Sequence, residues 1–471
     1  MNRLVVTAIA LFLAGQAGAQ ETEMVLSLDS CRALAMGNNK ELHIADSKQQ
    51  AAYYERKAAF TKYLPRISAT GAYMHTSREI SLLSDEQKEK LEHLGSNITA
   101  LTPSLQGMSS MLNGAGESLV NALHTDTRNM GAAGVMLTQP VYMGGKIAAY
   151  NHITRYAEQL AARQRDLTQQ EVIVEVDEAY WQIVSLQSKK QLAESYLELV
   201  KKLDNDVQQM IDEGFATKAD GLSVKVKVNE AQVALIQVDN GLALSRMLLC
   251  QICGLETNTA IRLSDEDNGQ TLSDDTAPAT ADIQDALFLR PELNMLSLSA
   301  NIHKEKVRLA RAEFMPTIAL TGGYLASNPS VFNSFERKMK GMWNVGIMAN
   351  VPLVTFGERV YKVKAAQAEV DAARFKWEET REKVELQVSQ NKKKVLEATE
   401  RLQAARQSCE EADENLRYAT LGLQEGVIPV SNVLEAQTAW LKSHSEHVSS
   451  QIDLRLANLY LLKSTGTLHI K

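Results

Sequence analysis

Leu64-Pro-Arg-Ile-Ser-Ala-Thr-Gly-Ala-Tyr73 returns in altered form as Met315-Pro-Thr-Ile-Ala-Leu-Thr-Gly-Gly-Tyr324. Pro65, Ile67, Thr70, Gly71 and Tyr73 all recur 251 positions later, and Glu41-Leu42 meets Glu292-Leu293 at the same offset. A second register has an offset of 212. It pairs Pro140 with Pro352, Gly145 with Gly357, Gly214 with Gly426, Leu222 with Leu434, and Gly254 with Gly466, without a gap. Two ungapped registers make the chain two copies of one unit, 20–255 and 282–471, joined by a polar segment at 256–281. The change of offset, from 251 to 212, places 39 extra residues in the first copy between Tyr73 and Pro140. So long a period, repeated once, is not that of a solenoid.

The 471 residues are 45% hydrophobic and 23% charged, a globular balance rather than a disordered one. There are only 9 prolines. None falls between Pro140 and Pro278, or between Pro352 and Pro429, which favours long helices in both tracts. The net charge of −7 argues against nucleic acid as a partner. Met1 to Ala19 reads as a signal peptide: Arg3, an apolar run from Leu4, and the small-residue site Ala17-Gly18-Ala19. The chain is therefore expected to be exported. No later stretch approaches 18 consecutive apolar residues, so entry into a membrane requires strands in a closed barrel.

Each copy reads helix, strand, strand, very long helix, turn, helix. The spacing predicts long helices over 146–213 and 358–425, each 68 residues, or about 100 Å. Val384, Val388, Asn391, Val395, Ala398, Leu402, Ala405, Cys409, Ala412, Leu416 and Ala419 alternate steps of four and three. Val172, Val176, Ala179, Ile183, Leu186, Lys190, Ala193, Leu197 and Val200 do the same in the partner copy. That is a coiled-coil seam. Shorter helices are expected at 29–63, 219–253, 292–314 and 431–465. Strands of about ten residues, long enough to cross a bilayer when tilted, are expected at 66–76, 133–143, 317–326 and 343–353. Tyr73, Tyr142, Tyr324 and Trp343 sit near their ends, as interface aromatics do. The loop between the first two strands is long, 77–132, with a helix expected near 84–94, and should face the cell exterior. Four strands cannot close a barrel by themselves. A conduit therefore calls for three or more copies, since an eight-stranded barrel is filled by its own side chains.

Asn38-Asn-Lys-Glu-Leu42, Leu64-Pro65, Pro140-Val-Tyr-Met-Gly-Gly145 and Pro352-Leu-Val-Thr-Phe-Gly357 stand in this order with two turn segments. The turns are Gly214-Phe-Ala-Thr-Lys-Ala-Asp220-Gly-Leu222 and Gly426-Val-Ile-Pro-Val-Ser-Asn432-Val-Leu434-Glu435-Ala-Gln437. Together, and duplicated, they resemble the TolC family of outer-membrane efflux and secretion channels, the outer membrane factors. The resemblance covers nearly the whole mature chain. It implies a mainly α fold with a small β part, in which long coiled-coil hairpins and four transmembrane strands per chain close as a trimeric β-barrel and α-barrel. It further implies an equatorial belt holding 256–281 and the mature N-terminus. A periplasmic adaptor protein and an inner-membrane pump are the implied partners, beside outer-membrane lipid.

The two helix–helix turns are the leading functional candidates. Gly214 and Gly426 read as C-cap glycines, and Thr217 and Ser431 as N-caps of the return helices. Capping alone accounts for these four; in the resemblance the same turns form the adaptor-docking region. Asp220, Asn432 and Glu435 lie in the first turn of the return helices, at positions that line the narrow periplasmic entrance in the resemblance. Asn432 stands where a carboxylate is expected there, and the tyrosine–arginine pattern that ties some family entrances shut is missing near Leu423 and Ile428. Cys250-Gln-Ile-Cys253 lacks the second pair of a zinc site and the βαβ setting of a redox motif, and reads as packing. Cys31 and Cys409 read the same way. His444 and His447 are the only histidines at helical ligand spacing, with no carboxylate motif beside them. No catalytic constellation, metal site or cofactor is indicated. The reading is an outer-membrane exit channel, a passive duct of a tripartite efflux or type I secretion system. The competing reading is a soluble periplasmic coiled-coil adaptor or scaffold, which should have one hairpin flanked by biotinyl-lipoyl-like β segments. No residue separates drugs, metals and polypeptides as cargo.

Overall fold

The computed structural model describes residues 24–77, 83–123, 127–266, 283–330, 332 and 336–468. The signal segment, and the linker from 267 onward, lie outside the described residues. The first half runs β1 (Met24–Leu26), α1 (Leu28–Asn38), α2 (Lys40–Phe60), β2 (Arg66–His75), α3 (Asp85–Glu92), α4 (Leu94–Leu101), α5 (Ser109–Leu123), β3 (Asn129–Met143), α6 (Lys146–Asp212), α7 (Lys218–Ile252) and β4 (Ile261–Leu263). The second runs α8 (Ile283–Leu289), α9 (Pro291–Ala312), β5 (Thr317–Asn328), β6 (Lys340–Asn350), α10 (Glu358–Gln424) and α11 (Val430–Thr465). Two compact units divide the chain. One holds Tyr54–Arg155 and Asn301–Val370; the other holds the rest.

The first unit carries a four-stranded antiparallel sheet in the order β2-β3-β5-β6. Its register sorts the side chains by face, because successive residues point to opposite sides. Ile67 lies opposite Leu137, Val135 opposite Tyr324, Tyr324 opposite Trp343, and Leu320 opposite Ile347. These residues make one apolar face. Ser68, Thr70, Thr138, Thr321, Asn344 and Asn350 lie on the other, among methionines and small residues. Tyr324 leans across Gly341, where an added Cβ would come within 2.3 Å of its ring and push the tyrosine aside. Every residue of β2 and of β6 is exposed in the single chain. Both outer strands are open edges.

The strands are shifted slightly from the expected ranges. β6 ends at Asn350, whose partner Thr317 is the first residue after Pro316. Val351 and Leu353 therefore lie beyond the ladder, next to Pro352, which has no N–H to give it. Among its described residues the segment between β2 and β3 holds three α-helices and a 3-10 turn at Pro103–Met108, rather than the single helix expected near 84–94. Ser84 opens α3 with a capping box to Gln87. Gly95 packs on the Ser109 carbonyl and Gly116 on the Leu91 carbonyl, both too close for a Cβ. Asn113 Oδ1 accepts from the Gly95 N–H at 2.7 Å and the Ser96 N–H at 3.1 Å. These close contacts are long-range within the loop and have no signature in periodicity.

The second unit is helical. α6 and α10 start 212 positions apart and are 67 residues each, one shorter than expected. Ten of the eleven seam residues read for α10 are buried; Leu416 is partly so. Charged neighbours flank the seam. Lys376 and Lys383 both pair with Glu379 and hold its carboxyl down at about 2. α6 differs. Beyond its seam it also buries Ile173, Val174, Tyr180, Trp181 and Val184. Tyr180 and Val184 pack with Leu26, Cys31 and Leu249, whereas Ile173 and Val174 meet Leu459 and Leu468. The helix has partners on two sides, so a single stripe does not describe it. The helix expected over 29–63 is broken at Asn39, whose Oδ1 accepts from the Glu41 N–H at 2.8 Å and so starts α2.

A parallel pair, β1 with β4, lies beside α1. Arg32 on α1 grips Asp177 on α6 with two bonds, Nε to Oδ1 at 2.7 Å and Nη2 to Oδ2 at 2.6 Å. The Asp177 carboxylate is almost fully buried. Removing one partner of a buried pair strands the other charge. Arg32→Ala should therefore lower stability by about 3 kcal/mol, read from the urea midpoint followed by circular dichroism. An unchanged midpoint would mean that Asp177 is solvated without Arg32.

Candidate functional site

Both long helices end alike. Gly214 and Gly426 take positive φ, 85° and 68°. The next residue's N–H reaches back five positions: Phe215 N–H to Met210 O at 2.7 Å, Val427 N–H to Gly422 O at 2.8 Å. This is the left-handed closure that glycine permits without a Cβ clash. Such closures usually tuck the following apolar residue against the helix. Here Phe215 and Val427 are each 77% exposed. Two equivalent apolar tips project from equivalent turns, and the sequence signal for them is the bulky residue directly after each cap glycine.

The starts of the return helices are not alike. Thr217 caps α7: its Oγ1 accepts from the Asp220 N–H at 3.2 Å, and Asp220 Oδ2 accepts from the Thr217 N–H at 2.9 Å. The Thr217 hydroxyl also donates to Asp220 Oδ2 at 2.6 Å. These bonds, the hydroxyl first and the backbone N–H second, hold the Asp220 carboxyl below the usual carboxylate range. Asp220 is thus committed to its own cap. Ser431 does not cap α11, contrary to the sequence reading. The cap position is Pro429, which has no side-chain hydrogen-bonding group, and Ser431 already lies inside the helix. Its hydroxyl faces the Asn432 Oδ1 at 3.5 Å, beyond a good hydrogen bond.

Asp220 and the run from Gly426 to Val430 share one groove of about 880 Å³, lined also by Phe215 and Ala216. Asp206, Glu213, Asp220 and Glu425 outnumber Lys202 on its walls, so it is acidic. Asn432 and Glu435 are not in the groove. Both are exposed on α11, on the side away from buried Val433, Leu434 and Ala436. Beneath the turns Val200, Leu203, Val207, Val224, Leu423 and Val433 form one core. Gln437 is buried in that region, with one amide oxygen lacking a partner and Nε2 at 3.5 Å from the Leu199 carbonyl. Sequence reading passed over it.

α7 carries a second feature that sequence analysis did not flag. Leu222, Val226, Asn229, Val233, Ile236, Asn240, Ala243 and Met247 alternate steps of four and three, and all eight are exposed. It is a coiled-coil seam with nothing against it in the single chain. The same residues give α7 the length and hydropathy of a membrane span. Exposed Gln232, Gln237 and Asp239 beside the seam, and the Lys190–Asp239 ion pair at 2.6 Å, fit a protein neighbour rather than lipid.

A family model described as "Outer membrane efflux protein" matches residues 32–255 and 283–467. The chain belongs to that family. Outer membrane protein TolC of Vibrio cholerae is 22% identical over 344 residues, covering 72% of this chain and 77% of TolC. Alkaline protease secretion protein AprF of Pseudomonas aeruginosa is 25% identical over 233 residues, 48% of each chain. A crystal structure of CusC, described as forming a transmembrane channel, superposes with a TM-score of 0.73 at 15% identity, covering 96% of this chain and 95% of CusC. The protein is therefore an outer-membrane channel of the efflux or secretion class. Within this outer membrane efflux protein the two turns differ in one respect that can be measured. Thr217→Ala should cost about 1 kcal/mol, the worth of an N-cap. Ser431→Ala should stay within about 0.5 kcal/mol. Because the Asp220 carboxyl is depressed, its stabilisation is complete above about pH 4, and is lost as pH falls through the lowered value. Hydrogen exchange at 218–222 should accelerate over that acid range in the wild type and not in Asp220→Asn.

Proposed function

We propose that three copies of this chain close into a twelve-stranded barrel continued by an α-helical tunnel, and that the assembly is a passive exit duct. The carrying observation is the pair of open edges on a membrane-length sheet with one apolar face. In lipid an unpaired strand edge has no water to satisfy it. The order β2-β3-β5-β6 makes the two edge strands run in opposite directions, so β6 of one copy meets β2 of the next antiparallel, and any number of copies keeps the strand count even. Twelve strands about 4.8 Å apart and tilted by about 40° enclose a ring roughly 24 Å across, backbone to backbone. Eight would leave roughly 16 Å, which side chains fill. The unpartnered α7 seam supports the same assembly, since covering it needs another copy. In this arrangement 1–19 is the removed signal, 20–255 and 282–471 are the two repeats, and 256–281 belongs to the equatorial belt. The sheet and the paired hairpins disfavour the soluble adaptor reading.

A duct of this kind does no chemistry. Its energy comes from an inner-membrane pump, reached through a periplasmic adaptor. The turns around Gly214, Thr217, Gly426 and Ser431 are the proposed docking region, with Phe215 and Val427 as its apolar contacts. Asp220, Asn432 and Glu435 are the proposed entrance residues. Glu435 is the stronger candidate for a charged ring, because Asp220 is tied to Thr217 and Asn432 is neutral. Three carboxylates around one axis repel by on the order of 1 kcal/mol per pair at intermediate dielectric, and attract cations. In planar bilayers, Glu435→Gln should lower cation selectivity and weaken block by multivalent cations from the periplasmic side. Asp220→Asn should change both less. An unaltered selectivity in a conducting Glu435→Gln trimer would place Glu435 outside the constriction.

A further inference from the structure

Three of the four cysteines meet in one place. Cys31 lies on α1, and Cys250 and Cys253 lie at the end of α7; all three are fully buried. Cys253 Sγ donates to the Cys31 carbonyl oxygen at 3.6 Å, which brings the return helix's last cysteine against the residue that carries the other thiol. Cys250 turns away, its Sγ directed to the Thr259 carbonyl at 3.7 Å. Two contacts hold the elements together at this point. Asn39 Nδ2 donates to the Ile252 carbonyl at 3.0 Å. Gly254, at φ +70°, lies against Asn38 where a Cβ would sit 2.5 Å from the Asn38 Cβ. Leu26, Ile261, Leu263 and Tyr180 close over the cysteines.

An outer-membrane protein folds in an oxidising compartment, where adjacent thiols pair unless something prevents it. We propose that Cys31 and Cys253 form a disulfide in the mature protein, clamping the N-terminal helix to the end of the return helix. The bond forms while the chain is still open. One cysteine thiolate attacks the disulfide of a periplasmic thiol oxidant, giving a mixed disulfide and releasing one oxidant thiol. The second cysteine thiolate displaces the other oxidant sulfur. Two thiols become one disulfide, and the oxidant takes up the two electrons and two protons as its own dithiol. Folding then seals the site. Both sulfurs are then fully buried, out of reach of any oxidant in a folded, reduced chain. Cys250 stays a thiol, and so does Cys409, which lies in the α10 seam.

The test uses the full mature protein from outer membranes, made without reductant. Free thiols are trapped with N-ethylmaleimide under denaturing conditions, and the intact mass and tryptic peptides are measured. The expected result is two labels, on Cys250 and Cys409, a crosslinked peptide joining Cys31 to Cys253, and four labels after reduction. Cys31→Ser should show three labels without reduction. Its melting temperature should lie below that of the unreduced wild type and match that of the reduced wild type. Four labels on the unreduced wild type would overturn the proposal. A crosslink between Cys250 and Cys253, or between Cys31 and Cys250, would overturn it equally.

Discussion

A strand edge in hydrocarbon carries a row of amide and carbonyl groups with nothing to bond. The strands β2 and β6 are open edges in the single chain, and in the proposed barrel they would lie in hydrocarbon. Removing them takes closure, since only a closed barrel has no edge. Closure by identical copies requires that each copy end on strands of opposite direction, which an even meander supplies. The side-chain pattern follows the same demand. Ile67, Leu137, Leu320, Val345 and Ile347 share a face, and the threonines and asparagines share the other. One-residue slippage would reverse both faces at once, so the register is set by the environment on either side of the sheet.

The helical unit solves a different problem, that of very long helices with little core of their own. A 67-residue helix buries one narrow stripe per partner. Small residues along the α10 seam let a neighbour come close, and the flanking ion pairs solvate the rest. The first copy has gone further. α6 has partners on two sides, joined to α1 by the Arg32–Asp177 clamp. α7 faces outward with a complete, empty seam. The two hairpins, alike in sequence register, thus differ in what they bury and what they leave exposed. Their turns show the same drift: equal glycine closures and equal apolar tips, but a self-bonded acid at Asp220 and an unbonded one at Glu435.

Much of this was legible in the residues. The α10 seam could be read position by position because that helix has a single buried stripe in the chain. The ends of the long helices could be read from Gly214 and Gly426, since only glycine sits easily at positive φ. Thr217 could be read as a cap because its partner is three residues away. Ser431 was misread for want of the same partner: position 434 is Leu, so no reciprocal bond exists, and Pro429 takes the cap instead. The second buried face of α6, the three helices between β2 and β3, and the meeting of Cys31 with Cys253 all depend on residues far apart in sequence. No local period encodes such contacts. The exposed seam of α7 was hidden for another reason: its Asn229 and Asn240 interrupt the apolar run, and only the geometry shows that they share one stripe.

The mass of the purified protein in detergent, by light scattering with the micelle subtracted, tests the central claim most directly. The open β2 and β6 edges and the bare α7 seam predict the protein mass of three chains, each no larger than 52.0 kDa, at every concentration that keeps full helicity by circular dichroism. A monodisperse single chain with the same helicity would contradict the account, because its strand edges would then be stable in an apolar phase without a partner.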